Sequence, residues 1–506
     1  MRRREFLKSA AAAAATGGIL GCASPDRSRL WHSGPPNILF LFADQLRPDV
    51  LGPYGGTNIT TPNIDRLARQ GMTFVNGLSS CPLCTPYRGM LMTGRYPTHT
   101  GLLMNRIDIS TRQNPVCLAQ LFADHGYDTG FLGKWHLSAG LKRISETLGD
   151  DEQAIAEYTQ RHPHFEFTPP GPDRLGFRHW EAYNYHVDFR NYWFYRDEPR
   201  KIFTGKYETD VLVDQAVAFM DGHRSGDRPF LLLVAPHPPH PPFTPQACPE
   251  GYLEQVPQQL SWNANVPAQS AAALGLQVRC YHAMIRHLDD CIGRLVRYLD
   301  ESGLSENTLL VVTSDHGEMH GSRGLTGKSY PYAESVDIPL LMRWPGTIPT
   351  DVRSSALVTP LDHLPTFCSL AGIPTPATVD GVDLGDVLLG GAGPERDEVL
   401  LMNYVASYAN FKSGGKRPEW RALRTPRHTY VKWLTGEESL FDNAEDPLQL
   451  RDLVDDEAAR PVLDRLRARL TELLAVAHDE FLPGTAYAEW YETGRTLVRT
   501  ALGPVA

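Results

Sequence analysis

Four short apolar runs constrain this chain more than any other feature. They are Asn37–Ala43, Tyr127–Leu132, Phe230–Val234 and Thr308–Thr313, rich in β-branched and large aliphatic residues and bounded by turn formers. A run that is apolar at nearly every position has no polar face to show to water. It suits a strand covered on both sides, as in a parallel sheet. Helical patterns lie between the runs. One covers Asn63–Gly71 with a glycine stop, and Leu288, Ile292, Leu295 and Leu299 recur at helical spacing. Strands alternating with helices predict an α/β fold, a large and mostly parallel sheet sandwiched by helices. The 40 prolines and 43 glycines imply many loops and few long helices. After residue 390 the pattern changes. Strands are predicted at Val399–Tyr404, Trp420–Leu423 and Thr429–Trp433, followed by one amphipathic helix over 458–477. The expected division is a main domain over 36–390 and, over 391–506, a small C-terminal α+β subdomain of antiparallel strands and a helix.

Each apolar run ends in a polar cluster. The first delivers Asp44 and Gln45, the second Gly133-Lys134-Trp135-His136, the third His237-Pro-Pro-His240, and the fourth Ser314-Asp315-His316-Gly317-Glu318. Open α/β sheets bind ligands at the carboxyl ends of their strands, so four such clusters are candidates for one site. Asp44, Gln45, Asp315 and His316 offer ligands for a hard cation, Ca²⁺ or Mg²⁺, although an imidazole favours softer metals. Taken alone, Asp44-Gln45 reads more readily as a loop carboxylate capping a turn. Lys134 and His136 are predicted to lie in a loop, where a solvated lysine and a packed histidine are the ordinary outcome. His237 and His240 stand among prolines that hold the backbone extended, a rigid mount for an acid or base. Lys328 carries no signal by itself.

Cys84 begins Cys84-Thr85-Pro86-Tyr87-Arg88, and Thr93-Gly94-Arg95 closes the segment. Thr85 is expected as an N-cap and Pro86 at the first helical position, which puts Cys84 at a helix N-terminus that favours anions. Cys81 and Cys84 also form a C-x-x-C pair, but a redox motif explains neither Pro86 nor Arg88. Six cysteines besides Cys22 and Cys84 are too scattered for a disulfide framework. A net charge of −10 argues against nucleic acid as a partner.

Residues 1–35 read as an address and a tether. Arg3-Arg4-Glu5-Phe6-Leu7-Lys8 fits a twin-arginine export signal, and Ser9–Leu20 is too short for a permanent membrane span. Ile19-Leu20-Gly21-Cys22 resembles a lipobox with Cys22 as lipidation site; the alternative is plain cleavage near Gly21. Both routes place the mature protein outside the cytoplasm, as a periplasmic protein or a membrane-anchored lipoprotein. The membrane would be met only through that lipid.

The segment C-x-P-x-R followed by T-G-R, together with Thr61–Leu67, Gly133–His136, Pro239-His240, Thr313–Glu318, Leu440-Phe441-Asp442 and Asp446-Pro447, resembles the type I sulfatase family. These are formylglycine-dependent enzymes of the alkaline-phosphatase superfamily, and the resemblance runs from Asn37 to about Asp455. It implies that the main domain is catalytic and that a formylglycine-generating enzyme oxidises Cys84 to an aldehyde whose hydrate attacks sulfur. It implies that Asp44, Gln45, Asp315, His316 and residue 84 hold Ca²⁺, with Mg²⁺ as the other option. Arg88 would orient the hydrate, and Lys134 and Lys328 would bind sulfate oxygens. His136 would hydrogen-bond the hydrate and His240 would assist the leaving group. His237 lies outside the matched position and stands as a supporting or substrate-contacting candidate. Gln45, His316 and Tyr87 depart from the commoner Asp, Asn and Ser of the family.

The expected substrate is an alcohol or sugar sulfate ester, with sulfated carbohydrate preferred for an exported enzyme. A phosphonate monoester or phosphodiester hydrolase of the same superfamily is one alternative, and a non-catalytic carbohydrate-binding relative is another. Trp180, Tyr183, Tyr185, Tyr192, Trp193 and Tyr195 are candidates to stack on sugar rings, or else form a packed insertion. Asn105, Arg106, Arg421 and Arg424 are candidates to line the pocket.

Overall fold

The computed structural model describes residues 34–109, 114, 116–138, 166–225, 228–394, 396–404, 419–491 and 497–505. The export signal, the tether and Cys22 lie outside them. Strand β1 (Asn37–Ala43) has every residue buried. It is joined in the main sheet by β2 (Met72–Gly77), β3 (Asp128–Lys134), β4 (His179–Tyr183), β5 (Phe230–Ala235), β6 (Thr308–Ser314), β7 (Leu340–Arg343) and β8 (Val352–Val358). The spatial order is β8-β2-β7-β6-β1-β5-β3-β4. Only β7 runs against its neighbours; the other pairings are parallel. The four apolar runs therefore become the four adjacent central strands β6, β1, β5 and β3. The strands that sequence pattern missed are short or lie toward the edges. At the rim, β8 alternates half-buried and exposed positions.

Helices cover the sheet. Those used below are α1 (Pro62–Arg69), α2 (Cys84–Thr93), α3 (Glu208–Asp221), α4 (Ala268–Ser302) and α5 (Arg460–Val476). The expectation of few long helices has one clear exception, since α4 runs 35 residues with Leu288, Ile292, Leu295 and Leu299 on its buried stripe. Asp289 on that helix accepts from the backbone N–H groups of Asn63 and Ile64, closing the open start of α1. Among the described residues no helix is long and apolar enough to cross a membrane.

The C-terminal part carries an antiparallel sheet of β9 (Val399–Asn403), β10 (Trp420–Arg424), β11 (His428–Trp433) and β12 (Glu438–Asp442), in that order. Its core is not separate. Ile38 and Phe40 of β1 belong to the same buried apolar cluster as Leu400 and Met402 of β9 and Leu463, Leu466 and Leu470 of α5.

Candidate active site

The register of the central strands sets their ends level. Ala43 of β1 pairs with Ser314 of β6, and Gly133 of β3 pairs with Ala235 of β5. The chain leaves each strand at the same edge, and backbone bonds stitch the exits together. The Asp315 N–H donates to the Ala43 carbonyl at 3.1 Å, the Asp44 N–H to the Pro236 carbonyl at 3.1 Å, and the Gln45 N–H to Asp315 Oδ1 at 3.0 Å. Gln45 and His136 both adopt left-handed backbone, φ 68° and 54°. Such backbone is costly for residues with a Cβ and clusters at functional sites, where the surroundings enforce it.

Lys134 differs from the loop placement expected of it, because it is the last residue of β3. Gly133 and Lys134 interrupt the apolar pattern, yet β4 continues the ladder and pairs Lys134 with Tyr183. The lysine is thereby held by main-chain bonds, and its ammonium donates to Asp44 Oδ2 at 2.6 Å.

Helix α2 begins at Cys84 itself, with Leu83 before it, so Thr85 is not its cap. The Thr85 hydroxyl donates to the His136 carbonyl at 2.7 Å, tying the helix start to the loop after β3. Its N–H donates to Asn105 Oδ1 at 3.0 Å, which makes Asn105 a support for the helix end. Pro86 falls in the first turn, where its missing N–H costs nothing.

Cys84 Sγ is the meeting point. It lies 3.3 Å from His316 Nε2, 3.4 Å from Lys328 Nζ, 3.8 Å from Lys134 Nζ and 3.9 Å from Asp44 Oδ1. One ligand atom each from Asp44, Cys84, Asp315 and His316 falls within 4.8 Å of the others, and all four residues are buried. Gln45 Oε1 joins them through Lys328 Nζ, which donates to it at 2.6 Å. Two buried carboxylates with an amide oxygen suit a hard cation, so these residues fit the ion the motifs imply. Arg88 lies beneath them and is fully buried. Its guanidinium donates to Asp44 Oδ2 at 3.1 Å, to Asp315 Oδ2 at 3.3 Å and to the Lys134 carbonyl.

The charges explain the protonation pattern. Burial pushes the Asp44 carboxyl up, but the Lys134 and Lys328 charges outweigh it and hold the group well below its usual range. Burial and the Asp44 charge push Asp315 up. Burial and Asp44 oppose ionisation of the Cys84 thiol, yet Lys134 and Lys328 pull its pKa down. Burial, aided by Lys134 at His136 and His237 and by Lys328 at His240, keeps all three imidazoles neutral. Their placement differs. His240 Nδ1 donates to the Pro241 carbonyl at 2.7 Å, while His136 Nδ1 is buried and has no hydrogen-bond partner among the described residues.

Several pocket candidates lie elsewhere. Arg421 is buried and bonds Asp479, so it serves the C-terminal sheet. Arg424 donates to Thr429 and Asp337. Trp180 stacks on Phe131 in one buried cluster, and Tyr183, Tyr192, Trp193 and Tyr195 are buried in another, which rules out sugar stacking by these five. Tyr185 alone of that group is partly exposed, and its ring stands 5.1 Å from Lys134 Nζ and 5.0 Å from the His136 ring. Arg106 is close enough to His136 and Tyr185 for its charge to act on both, although burial dominates each, lowering the His136 pKa and raising that of Tyr185.

Two residues with no role assigned from sequence belong to the support of the site. Glu318 accepts from the Gln45 amide and from the N–H groups of His320 and Gly327, and fixes the Gln45 side chain. Glu208, at the start of α3, accepts from the Tyr183 hydroxyl at 2.7 Å and the His237 N–H at 2.8 Å. Burial pushes its carboxyl up to about 7. Glu318 stood inside a recognised cluster; Glu208 had no local signal.

The family model described as Sulfatase matches residues 36–373 of this chain. The chain belongs to the sulfatase family. A second model, described as the C-terminal part of N-sulphoglucosamine sulphohydrolase, matches residues 321–476. The ulvan-active sulfatase of Formosa agariphila is 32% identical over 462 residues, covering 90% of this chain and 84% of that protein. The endo-4-O-sulfatase of Bacteroides thetaiotaomicron is 28% identical, covering 91% and 95%. Among solved structures, the YidJ sulfatase of Bacteroides fragilis superposes with a TM-score of 0.76 at 26% identity, covering 90% of this chain and 97% of that one. The large mostly parallel sheet with its small antiparallel C-terminal sheet is the sulfatase, alkaline-phosphatase-like fold, and the protein is a sulfatase.

Proposed function

We propose that this sulfatase removes sulfate from sulfated carbohydrate, using a formylglycine at position 84 and a divalent cation. The observation that carries this reading is the convergence on one buried atom, Cys84 Sγ, of two lysine ammonium groups, a carboxylate and His316. The thiol stands where the hydroxyls of an aldehyde hydrate would stand, and its contacts are read as theirs. Oxidised and hydrated, residue 84 would supply a geminal diol, with one hydroxyl to attack sulfur and a second whose deprotonation expels sulfate as the aldehyde returns. Calcium or magnesium held by Asp44, Gln45, Asp315, His316 and residue 84 would supply positive charge that favours the ionised hydroxyl.

The chain's own residues do the rest. Lys134 and Lys328 place two cationic donors beside position 84, where charge grows on the sulfuryl oxygens. Arg88 holds the two carboxylates and does not compete for substrate. His136 offers an unpartnered ring nitrogen as base for the second hydroxyl. His240, its Nδ1 tied to the Pro241 carbonyl, is left with Nε2 for the ester oxygen. A sulfate anion arriving beside it raises its proton affinity and lets it protonate the departing alcohol.

Carbohydrate is favoured by two relatives whose names state their activity, ulvan-active sulfatase and endo-4-O-sulfatase. Tyr185 at the edge of the site gives a sugar ring a surface to lie on. We place the enzyme outside the cytoplasm through its twin-arginine signal, anchored by lipid at Cys22 or released by cleavage near Gly21. The test is sulfate release from sulfated oligosaccharides, nitrophenyl sulfate and a phosphodiester by protein co-expressed with a formylglycine-generating enzyme. Mass spectrometry of the peptide carrying residue 84 reports the modification. Sulfate esters are expected to turn over fastest and Cys84→Ala to abolish turnover. Full activity in Cys84→Ala, or preference for the phosphodiester, would refute the reading.

A further inference from the structure

His237 is buried at the centre of the site, yet none of the steps above uses it. Its two ring nitrogens are both engaged. Nδ1 lies 2.6 Å from the His186 carbonyl, which can only accept, so Nδ1 carries the proton. Nε2 is then the acceptor, and it lies 2.9 Å from Lys134 Nζ. The backbone of His237 is pinned as well, because its N–H donates to Glu208 Oε1, and Glu208 is held in turn by the Tyr183 hydroxyl.

The lysine has three N–H bonds to place. One goes to Asp44 Oδ2 at 2.6 Å and one to His237 Nε2 at 2.9 Å. With two directions taken, the third is determined, and Cys84 Sγ at 3.8 Å is the remaining near neighbour. We propose that His237 is a positioning residue that, through this acceptor bond, aims the third Lys134 N–H at the sulfuryl group being transferred to position 84. It never touches the reacting atoms itself. Without Nε2, the ammonium would be free to rotate about its bond to Asp44, and the aim would be lost where charge develops in the transition state. The inference rests on the sulfatase chemistry proposed above.

Three substitutions separate the acceptor from the bulk of the ring. Gln reaches about as far as Nε2 and can place an oxygen there for Lys134. Asn reaches only about as far as Nδ1, so it can keep the bond to the His186 carbonyl but offers Lys134 nothing. Phe keeps the ring and neither nitrogen. Turnover is measured on nitrophenyl sulfate and one sulfated oligosaccharide, per mole of formylglycine found by mass spectrometry. His237→Gln is expected to keep at least roughly a third of wild-type kcat, while His237→Asn and His237→Phe lose roughly 10- to 100-fold in kcat with KM changed less than about threefold.

A folded His237→Asn with wild-type kcat overturns the proposal, as does a His237→Gln no better than Asn, or a loss confined to KM. Should His237→Phe fail to fold, the Asn and Gln pair decides. Wild-type protein that carries formylglycine but releases no sulfate would refute the functional reading itself. An active wild type with equal Asn and Gln variants refutes only the role of His237.

Discussion

Replacing Arg421 by Met tests whether this arginine serves the fold or the substrate pocket for which its sequence position made it a candidate. The side chain lies in β10 with no solvent exposure. Its guanidinium donates to both oxygens of Asp479, to the Asn403 carbonyl at 2.8 Å and to the Trp420 carbonyl at 3.0 Å. It also lies 4.1 Å from the Tyr404 ring centre and 4.7 Å from that of Phe481. Met fills similar volume, so little cavity forms. The cost comes from stranding the buried Asp479 carboxylate, which among the described residues retains the Phe481 N–H and the Tyr487 hydroxyl as donors. Removing one partner of a buried ion pair typically costs about 3–5 kcal/mol. An unfolding entropy of about 2.1 cal/mol/K per residue gives on the order of 1 kcal/mol/K for a chain this long, hence a Tm lower by about 3–5 °C if unfolding is cooperative. Adding Asp479→Asn removes the stranded charge and keeps an oxygen for the Phe481 N–H. It should recover at least about half of the loss. Thermal unfolding followed by fluorescence, with kcat per formylglycine measured on the same samples, decides the matter. A Tm within about 1 °C of wild type would refute the burial argument, and a tenfold or greater fall in kcat at unchanged Tm would return Arg421 to the substrate site.

Two further outcomes follow from the charges. Glu208 titrates near 7 in the folded protein against an ordinary 4.5, so the folded state holds more protons between those values. Its contribution is full below about pH 4.5 and fades as pH rises through 7, by at most on the order of 3 kcal/mol. Glu208→Gln should therefore gain Tm relative to wild type as pH goes from about 5 to 8; parallel Tm curves would contradict this. Chelation should abolish most sulfate release and lower Tm, because Asp44 and Asp315 then face each other without the cation. Calcium or magnesium should restore both, the Tm gain following mass action at about 2.7 kcal/mol for a hundredfold excess over Kd. Undiminished turnover in metal-free protein would sink the cation's role.

Much of the site was legible because its groups sit on backbone with strong local rules. The β1, β5 and β6 runs are almost wholly apolar and β3 keeps an apolar centre at Phe131 and Leu132, so strand identity and the polar residues after them can be read without coordinates. The C-x-P-x-R segment marks Cys84 in the same way. Arg421 and Trp180 misled because an arginine or a tryptophan reads as surface or ligand-facing until its partner is known. The partner of Arg421 is Asp479, 58 residues away along the chain.

Sequence alone determined the α/β class, the alternation of strand and helix, and the residue types at each strand exit, since these depend on local pattern and strand period. The tertiary structure decided which exits share an edge, through the registers that align Ala43 with Ser314 and Gly133 with Ala235. It also decided that Lys134 ends a strand, that Thr85 binds the His136 carbonyl, and that Glu208 and His237 support the site from behind. Those contacts join residues tens to hundreds apart in sequence. They are selected by burial, which obliges every polar group brought inside to find a partner, and no local pattern encodes which partner that will be.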